Sequence, residues 1–296
     1  MFEQPFTKEN LDQYLKELAK EFRKINGKNM PADIILIGGA SVVINYGFRE
    51  MTYDMDAVIN AASSMKDAIN HVGDKFNLPN GWLNTDFMKT TSYTPKIVRY
   101  SKFYRTFSNI VTFRTVTGEY LIAMKLMAGR QYKYDLSDII GILWEHEKAN
   151  NPITIDMIRE AVSNLYDSYD KLPEHSRIFI EKAISDKSYE EMYKSVRQME
   201  ADNKGILLQF QEDYPDAANT DNVNDILAAI KKKNYKVDYH GQMNRFDGAK
   251  ENYVEGSVIS HTALLCRPYR ATLQVPSGFR LAGQNGDYYG EQDLQK

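Results

Sequence analysis

The segment that most constrains this chain is DIILIGGASVVINYGFREMTYDMDAVI, which runs from Asp33 to Ile59. A short apolar run stops at two adjacent glycines, a compact apolar segment follows, and a second short run opens with Asp54 and Asp56. This order predicts a strand, a glycine turn, a short helix and a second strand. Residues i and i+2 of a strand point to the same side, so we expect the two carboxylates to project together.

The paired carboxylates point to a metal site. Two adjacent ionised carboxylates repel each other, and a shared divalent cation relieves that repulsion, so Asp54 and Asp56 are predicted to bind magnesium or manganese. Gly38 and Gly39 would let a phosphate approach the backbone at the start of the helix, with Ser41 as a hydroxyl donor. The structural alternatives are a tight strand-to-helix connection for the glycines and an ordinary surface loop for the acids.

The chain changes character along its length. Residues 1–148 mix helical and strand-like patterns, and within 90–117 the runs KIVRY and NIVTFRTV predict strands. Residues 149–233 are helical in pattern. Residues 234–296 are rich in glycine, asparagine and tyrosine and are predicted to be an accessory or poorly ordered tail. The predicted fold class is α+β, with a mixed N-terminal domain followed by helices.

Charge and cysteine content exclude several classes of protein. The formal net charge of −3 argues against a globally basic nucleic-acid binder and still allows a local basic face. The single cysteine, Cys266, excludes a disulfide framework and a cysteine metal site. The first residues lack the pattern of a signal peptide and no apolar run is long enough to span a membrane, so we expect a soluble, cytoplasmic protein without a membrane partner.

The opening segment resembles the signature of the DNA polymerase beta-type nucleotidyltransferase superfamily, in which a glycine turn precedes an Asp-x-Asp metal pair. The closer likeness is to the AbiEii-like toxins of bacterial abortive-infection and toxin–antitoxin systems, where an arginine and a threonine lead into the acidic pair. A second block, EYLIAMKLMAGRQYKYDLSDIIGIL, resembles a later motif of that branch. The resemblance implies a small mixed sheet flanked by helices and followed by a helical C-terminal domain.

The resemblance also implies roles for individual residues. Asp54 and Asp56 would bind the metal, and Lys125 would contact phosphate. The positions implied to hold the nucleoside triphosphate are Gly38, Gly39, Ser41, Arg49 and Thr52. The superfamily places a third carboxylate on a neighbouring strand, but NIVTFRTV contains no acid. The candidates for that carboxylate are Asp135, Asp138 and Glu119, and the second motif favours the two aspartates as catalytic residues. Each of the three would also suit a helix N-terminus.

A basic and aromatic segment, Lys89 to Gly118, suggests an acceptor. It contains no acid and interleaves two kinds of side chain: the cations Lys89, Lys96, Arg99, Lys102, Arg105 and Arg114, and the aromatic residues Tyr93, Tyr100, Phe103, Tyr104 and Phe107. Cations that meet phosphates and aromatic rings that stack on bases suit single-stranded RNA or a tRNA end. The alternative is a solvated sheet face with its aromatic side chains in the core.

Two hypotheses follow. The first is a metal-dependent enzyme that moves a nucleoside monophosphate from a triphosphate to RNA or protein, as a toxin with a cognate antitoxin. The second is a weak or inactive nucleotide-binding module with a regulatory or partner-binding role. The pair Asp54 and Asp56 favours the first, and the missing strand-borne acid favours the second.

Overall fold

The computed structural model describes residues 5–219 and 222–232. They belong to two compact units, one ending at Asp202 and the other beginning at Asn203. The first unit continues through residue 148, where the sequence predicted a domain boundary. The predicted tail, 234–296, lies outside the described residues.

The first part of the chain alternates helices and short strands. In chain order the elements are β1 Phe6–Thr7, α1 Lys8–Asn26, β2 Ala32–Leu36, α2 Gly38–Asn45, β3 Met51–Thr52, β4 Met55–Asn60, α3 Met65–Phe76, β5 Leu83–Asn84, β6 Ser101–Phe107 and β7 Val111–Val116. Between residues 118 and 213 the chain forms five α-helices: α4 Gly118–Ala128, α5 Asp135–Lys148, α6 Ile155–Tyr166, α7 Glu174–Asp186 and α8 Tyr189–Asp213.

The strands form a five-stranded mixed sheet in the order β5-β4-β2-β7-β6, and β1 pairs separately with β3. Strand β4 is antiparallel to β2 and parallel to β5, whereas β7 is parallel to β2 and antiparallel to β6. One side of the sheet, running across the strand termini, therefore contains the ends of β2 and β7 and the starts of β4, β5 and β6. We call this side the site edge; it is distinct from the outer strands β5 and β6.

Local sequence explains the first helix. The side chain of Thr7 accepts a hydrogen bond from the backbone of Asn10, whose own side chain accepts one from the Thr7 backbone, so the pair forms a capping box. The helix ends before Gly27, whose φ of 74° suits glycine. Both ends of α1 are therefore set by residues close to them in the sequence.

Two hydrophobic clusters cover opposite faces of the sheet. Alternate residues of β2 divide between them, because successive strand residues point to opposite faces. Ile34 and Leu36 pack in the cluster that includes buried residues of α1 and α3. Ile35 packs in the other cluster, with residues of α4, α5 and α6. The mixed sheet with flanking and following helices confirms the α+β fold class.

Two local predictions need correction. The predicted strand KIVRY is instead part of a 3₁₀ helix, Pro95–Tyr100. Thr94 caps that helix by accepting a hydrogen bond from the backbone of Lys96, and proline at its first position fixes a helical φ. Asp54 lies one residue before β4 and not within it. None of the helices in the described part of the chain is both long and apolar enough to cross a membrane.

Candidate active site

The glycine turn and the acidic pair meet at the site edge. The backbone N–H of Ile37, directly after β2, donates to the carbonyl oxygen of Asp56 over 3.0 Å. Gly38 begins α2 with a φ of 55°, and a Cβ placed on it would lie 3.4 Å from Asp56 Oδ2. The turn therefore lies directly against the Asp56 carboxylate, as the sequence pattern predicted.

Gly39 is required by close packing. A Cβ at this position would lie 2.5 Å from Thr52 Oγ1 and 2.8 Å from Arg49 Nη2. Real Cβ atoms do not tolerate such distances, so glycine lets these two side chains approach α2. The turn thus brings together four of the predicted nucleotide-site positions: Gly38, Gly39, Arg49 and Thr52.

Thr52 and Arg49 position the acids. The Thr52 hydroxyl is buried and lies 3.1 Å from both Oδ1 and the carbonyl oxygen of Asp54, and either oxygen can accept a hydrogen bond from it. The Arg49 guanidinium donates to the carbonyl oxygen of Met51 and to the carboxylate of Asp138. These contacts join the segment before β4 to the start of α5.

The surroundings of Asp56 disfavour its ionised form. Burial, followed by the charge of Asp54, raises the pKa of Asp56 to about 6, while Arg130 and Lys133 oppose that rise and Asp86 adds to it. Carboxylate oxygens are the hard ligands that magnesium and manganese accept, and a cation would remove the repulsion between the two acids. The donor set therefore fits a divalent metal. The described residues contain no group of three or more acidic, histidine or cysteine side chains that could hold a metal, so the protein side of such a site is the pair alone.

The second block forms a buried ion network. Lys125 Nζ lies 3.1 Å from Asp135 Oδ1 and 2.8 Å from Asp138 Oδ2, and all three residues are buried. Arg130 Nε lies 2.6 Å from Asp135 Oδ2, and Arg49 completes the network at Asp138. Burial acts to raise the pKa of Asp135, but the charges of Lys125 and Arg130 outweigh it, so that pKa lies below its usual value.

This network connects the two sequence motifs. It runs from Asp54 through Thr52 and Arg49 to Asp138 and then to Lys125. Its three cations, Arg49, Lys125 and Arg130, balance the three carboxylates of Asp54, Asp135 and Asp138. Asp135 and Asp138 are occupied by ion pairs, so they are poorly placed to accept a proton from an attacking hydroxyl.

Two other predicted residues have contacts within the fold. The fully buried Ser41 hydroxyl accepts a hydrogen bond from the backbone N–H of Val116 over 3.0 Å and thus fixes the end of β7 against α2. Glu119 accepts a hydrogen bond from the Thr117 hydroxyl over 2.7 Å in the first turn of α4. These contacts account for both side chains without a ligand.

Strand β5 contributes residues that the sequence reasoning missed. Asn84 lies opposite Asp56 in the parallel pairing of β4 and β5. Asp86 follows two residues later, is exposed, and acts on the pKa of Asp56. The run WLNTD was the available signal, but a strand of two residues is too short to show a period-2 pattern.

Comparison with known protein families defines the class. The family model for a nucleotidyltransferase of unknown function, DUF6036, matches residues 13–197. The match covers more than half of the 296-residue chain, so the chain belongs to this nucleotidyltransferase family. No curated protein and no solved structure matches it. The matched range contains all the predicted site residues and also Asp86, Arg130 and Lys133.

Proposed function

We propose that the chain is a metal-dependent nucleotidyltransferase that moves a nucleoside monophosphate from a nucleoside triphosphate to an acceptor. One observation carries the proposal: Gly38 lies against the Asp56 carboxylate, and Asp54 is held beside them by Thr52. A glycine turn at a helix start suits a phosphate chain, and two adjacent acids suit the metal that accompanies it.

Asp54 and Asp56 would hold magnesium or manganese. The metal, when bound, supplies positive charge to the phosphate oxygens and orients them. Asp86, which follows the strand beside β4, is our candidate for the proton-accepting carboxylate in place of Asp135 and Asp138, and it is not a metal ligand in this proposal. It carries no buried ion pair, since its partner Lys89 is a surface side chain whose contribution is small.

Cations near the acidic pair would hold the triphosphate. Arg130 and Lys133 both act on the pKa of Asp56, and each lowers it. We assign Lys125 an indirect role: it fixes the carboxylates that anchor Arg49 and Arg130. Preorganised cations of this kind stabilise charge that develops on a transferring phosphoryl group.

The proposed reaction is an in-line displacement. A hydroxyl oxygen of the acceptor forms a bond to the α-phosphorus of the triphosphate. The bond from that phosphorus to the bridging oxygen breaks, and pyrophosphate leaves with the electron pair. The proton of the hydroxyl passes to a carboxylate near the acidic pair, for which Asp86 is the candidate.

The acceptor in this proposal is RNA, such as a tRNA end, or a protein. The resemblance to AbiEii-like toxins supports a role as the toxin of a bacterial defence or toxin–antitoxin system, in which a cognate antitoxin would be the partner. The narrower branch is our proposal, since the matched family model defines only the nucleotidyltransferase family.

A second function is a nucleotide-binding regulatory or partner-binding module with little or no catalysis. The observation that favours it is that the described residues hold no preassembled group of three metal-binding side chains. Such a module would bind a metal–triphosphate complex through Asp54 and Asp56 and release no pyrophosphate.

Labelled triphosphates separate these two functions. The chain is incubated with each nucleoside triphosphate labelled at the α-phosphate, with magnesium or manganese and total RNA. The first function predicts label on RNA or protein, loss of that label in Asp56→Asn, and none when the γ-phosphate is labelled instead. Binding without transfer for all four triphosphates would support the second function, and label from the γ-phosphate would show phosphoryl transfer.

A further inference from the structure

The basic and aromatic segment is mostly built into the fold. Its aromatic side chains have internal partners: Tyr100 stacks on Tyr120 with ring centroids 4.0 Å apart, Tyr93 meets Phe87, Tyr104 donates a hydrogen bond to Asp12, and Phe107 packs on Phe113. The exception is Phe103 on β6, which is 63 % exposed. The core therefore accounts for the other four aromatic residues but not for Phe103.

The six cations of the segment also divide into those with a carboxylate partner and those without one. Three of them have carboxylate partners: Lys89 with Asp86, Lys96 with Asp167, and Arg105 with Asp12. The other three, Arg99, Lys102 and Arg114, have no carboxylate partner within the described part of the chain. The guanidinium of Arg114 is fixed by hydrogen bonds to the hydroxyl and carbonyl oxygens of Ser101, both over 2.8 Å.

The strand register places one of these cations beside Phe103. Phe103 lies opposite Arg114 on β7, and residues directly opposite in a sheet share a face. Arg99 lies near the end of the 3₁₀ helix that precedes the strand. Lys102 is the neighbouring residue of β6, so its side chain projects to the other face of the sheet. We call Arg99, Phe103 and Arg114 the β6 surface.

The same register relates the β6 surface to the acidic pair. Arg114 lies opposite Ile35 of β2, and Ile35 lies opposite Val58 of β4. Asp56, two residues before Val58, therefore shares the face of Phe103 and is nearer the site edge. Three strand spacings separate β4 from β6, about 14 Å, which is the rise of about four stacked nucleotides.

Protection of an edge strand does not explain this surface. Edge strands are often guarded by charged side chains and bulges, and β6 has both. An exposed phenylalanine has the opposite effect, because it makes an open edge more adhesive. An aromatic ring flanked by unpaired cations is the arrangement that binds single-stranded nucleic acid.

We propose that the β6 surface binds the single-stranded end of an RNA acceptor and presents its terminal hydroxyl at the site edge. Phe103 stacks on a base, while Arg99 and Arg114 contact the phosphates. The inference rests on the proposed function for the transfer step and adds the acceptor class and the residues that bind it.

The test measures RNA binding without transfer. A short fluorescent single-stranded RNA is titrated with the full chain by anisotropy at several salt concentrations, with no triphosphate present. Phe103→Ala should weaken binding about five- to a hundredfold without changing its salt dependence, since a stacked base is lost. Arg99→Ala should reduce the magnitude of the slope of log K against log salt by about 0.7, as one phosphate contact disappears.

Two exposed residues provide matched controls. Ile178→Ala removes an apolar side chain that is 60 % exposed on α7, and Lys66→Ala removes an exposed lysine of α3. Both should bind the RNA as the wild type does. Equal loss in Phe103→Ala and Ile178→Ala, or a wild type that does not bind the RNA, would overturn the inference.

Failure of the proposed function gives a different result. RNA binding that depends on Phe103, combined with no transfer from any triphosphate, would remove the enzymatic proposal and leave the surface in place. Transfer to a protein without RNA binding would keep the enzyme and overturn the RNA surface.

Discussion

Gly39 is a position at which the site leaves no room for a side chain. Thr52 and Arg49 approach it so closely that a Cβ would come within 2.8 Å of both side chains. These two side chains also hold Asp54 and Asp138, so a disturbance at residue 39 reaches both motifs.

Gly39→Ala should destabilise the protein and weaken triphosphate binding, because Thr52 or Arg49 must move. Overpacking of this kind costs about 1–3 kcal/mol, which urea denaturation can measure. Gly205→Ala is the control: Gly205 is helical with open space around its Cβ position, so alanine should stabilise that helix by up to about 1 kcal/mol. Equal effects of the two substitutions would contradict the packing argument.

Lys125 is the second residue whose substitution has a clear expected effect on stability. Lys125→Ala should lower the free energy of unfolding by about 3–5 kcal/mol, because it removes a buried cation shared by two buried carboxylates. Removing the exposed Lys66 should leave the free energy of unfolding nearly unchanged. A Lys125→Ala protein as stable as wild type would show that Arg49 and Arg130 alone neutralise Asp135 and Asp138.

At the residue scale, the sequence predicts contacts between residues that are close together along the chain. The glycines and Asp54 and Asp56 stand within one short segment, and that order predicted their meeting. Asp86 and the cations Arg130 and Lys133 could not be predicted in the same way, because their approach to Asp56 depends on strand pairing and on the chain path after α4.

Among the elements, α5 depends on a carboxylate from α8. Glu200 accepts hydrogen bonds from the backbone N–H groups of Leu136 and Ser137 and from the Ser137 hydroxyl, over 2.9, 3.2 and 2.6 Å. It therefore satisfies donors in the first turn of α5, next to the ion network. Its side chain is 1 % exposed, and burial raises the pKa of Glu200 from 4.5 to about 7.

This shift predicts a dependence of stability on pH. The raised pKa means that the folded state holds the Glu200 proton more tightly than the unfolded state. Glu200 therefore contributes to the free energy of unfolding in full below pH 4.5. This contribution is lost as pH rises through about 7, by roughly 3 kcal/mol in all. Glu200→Gln cannot titrate, so the difference in unfolding free energy between wild type and variant should fall over this range. A difference that stays constant from pH 4.5 to 8 would contradict the buried, proton-retaining carboxyl.

Elements were predictable where hydrophobic periodicity was long enough. Helix α1 and strands β2 and β7 follow their patterns closely. The apolar, β-branched run KIVRY predicts a strand, but the Thr94 cap and Pro95 before it begin a 3₁₀ helix. Strand β5 was missed because its two residues depend on pairing with β4 and not on their own pattern.

For the whole molecule, the central feature is the shared edge of the five-stranded sheet. Two hydrophobic clusters fix β2 and β4 from both faces, so the glycine turn and the acidic pair are held by the core. The family match agrees with this arrangement and extends through the helices to residue 197. The proposed function therefore depends on a metal–triphosphate site at that edge.

The most direct test is calorimetric titration of a nucleoside triphosphate with and without magnesium. We predict binding in magnesium that weakens at least about tenfold in EDTA, because the acidic pair binds the phosphates through the metal. Asp56→Asn should lose this dependence, whereas Asp67→Asn, on the exposed face of α3, should behave as wild type. Equal affinity with and without magnesium, or unchanged magnesium-dependent binding in Asp56→Asn, would contradict the assignment of Asp54 and Asp56 as the metal site.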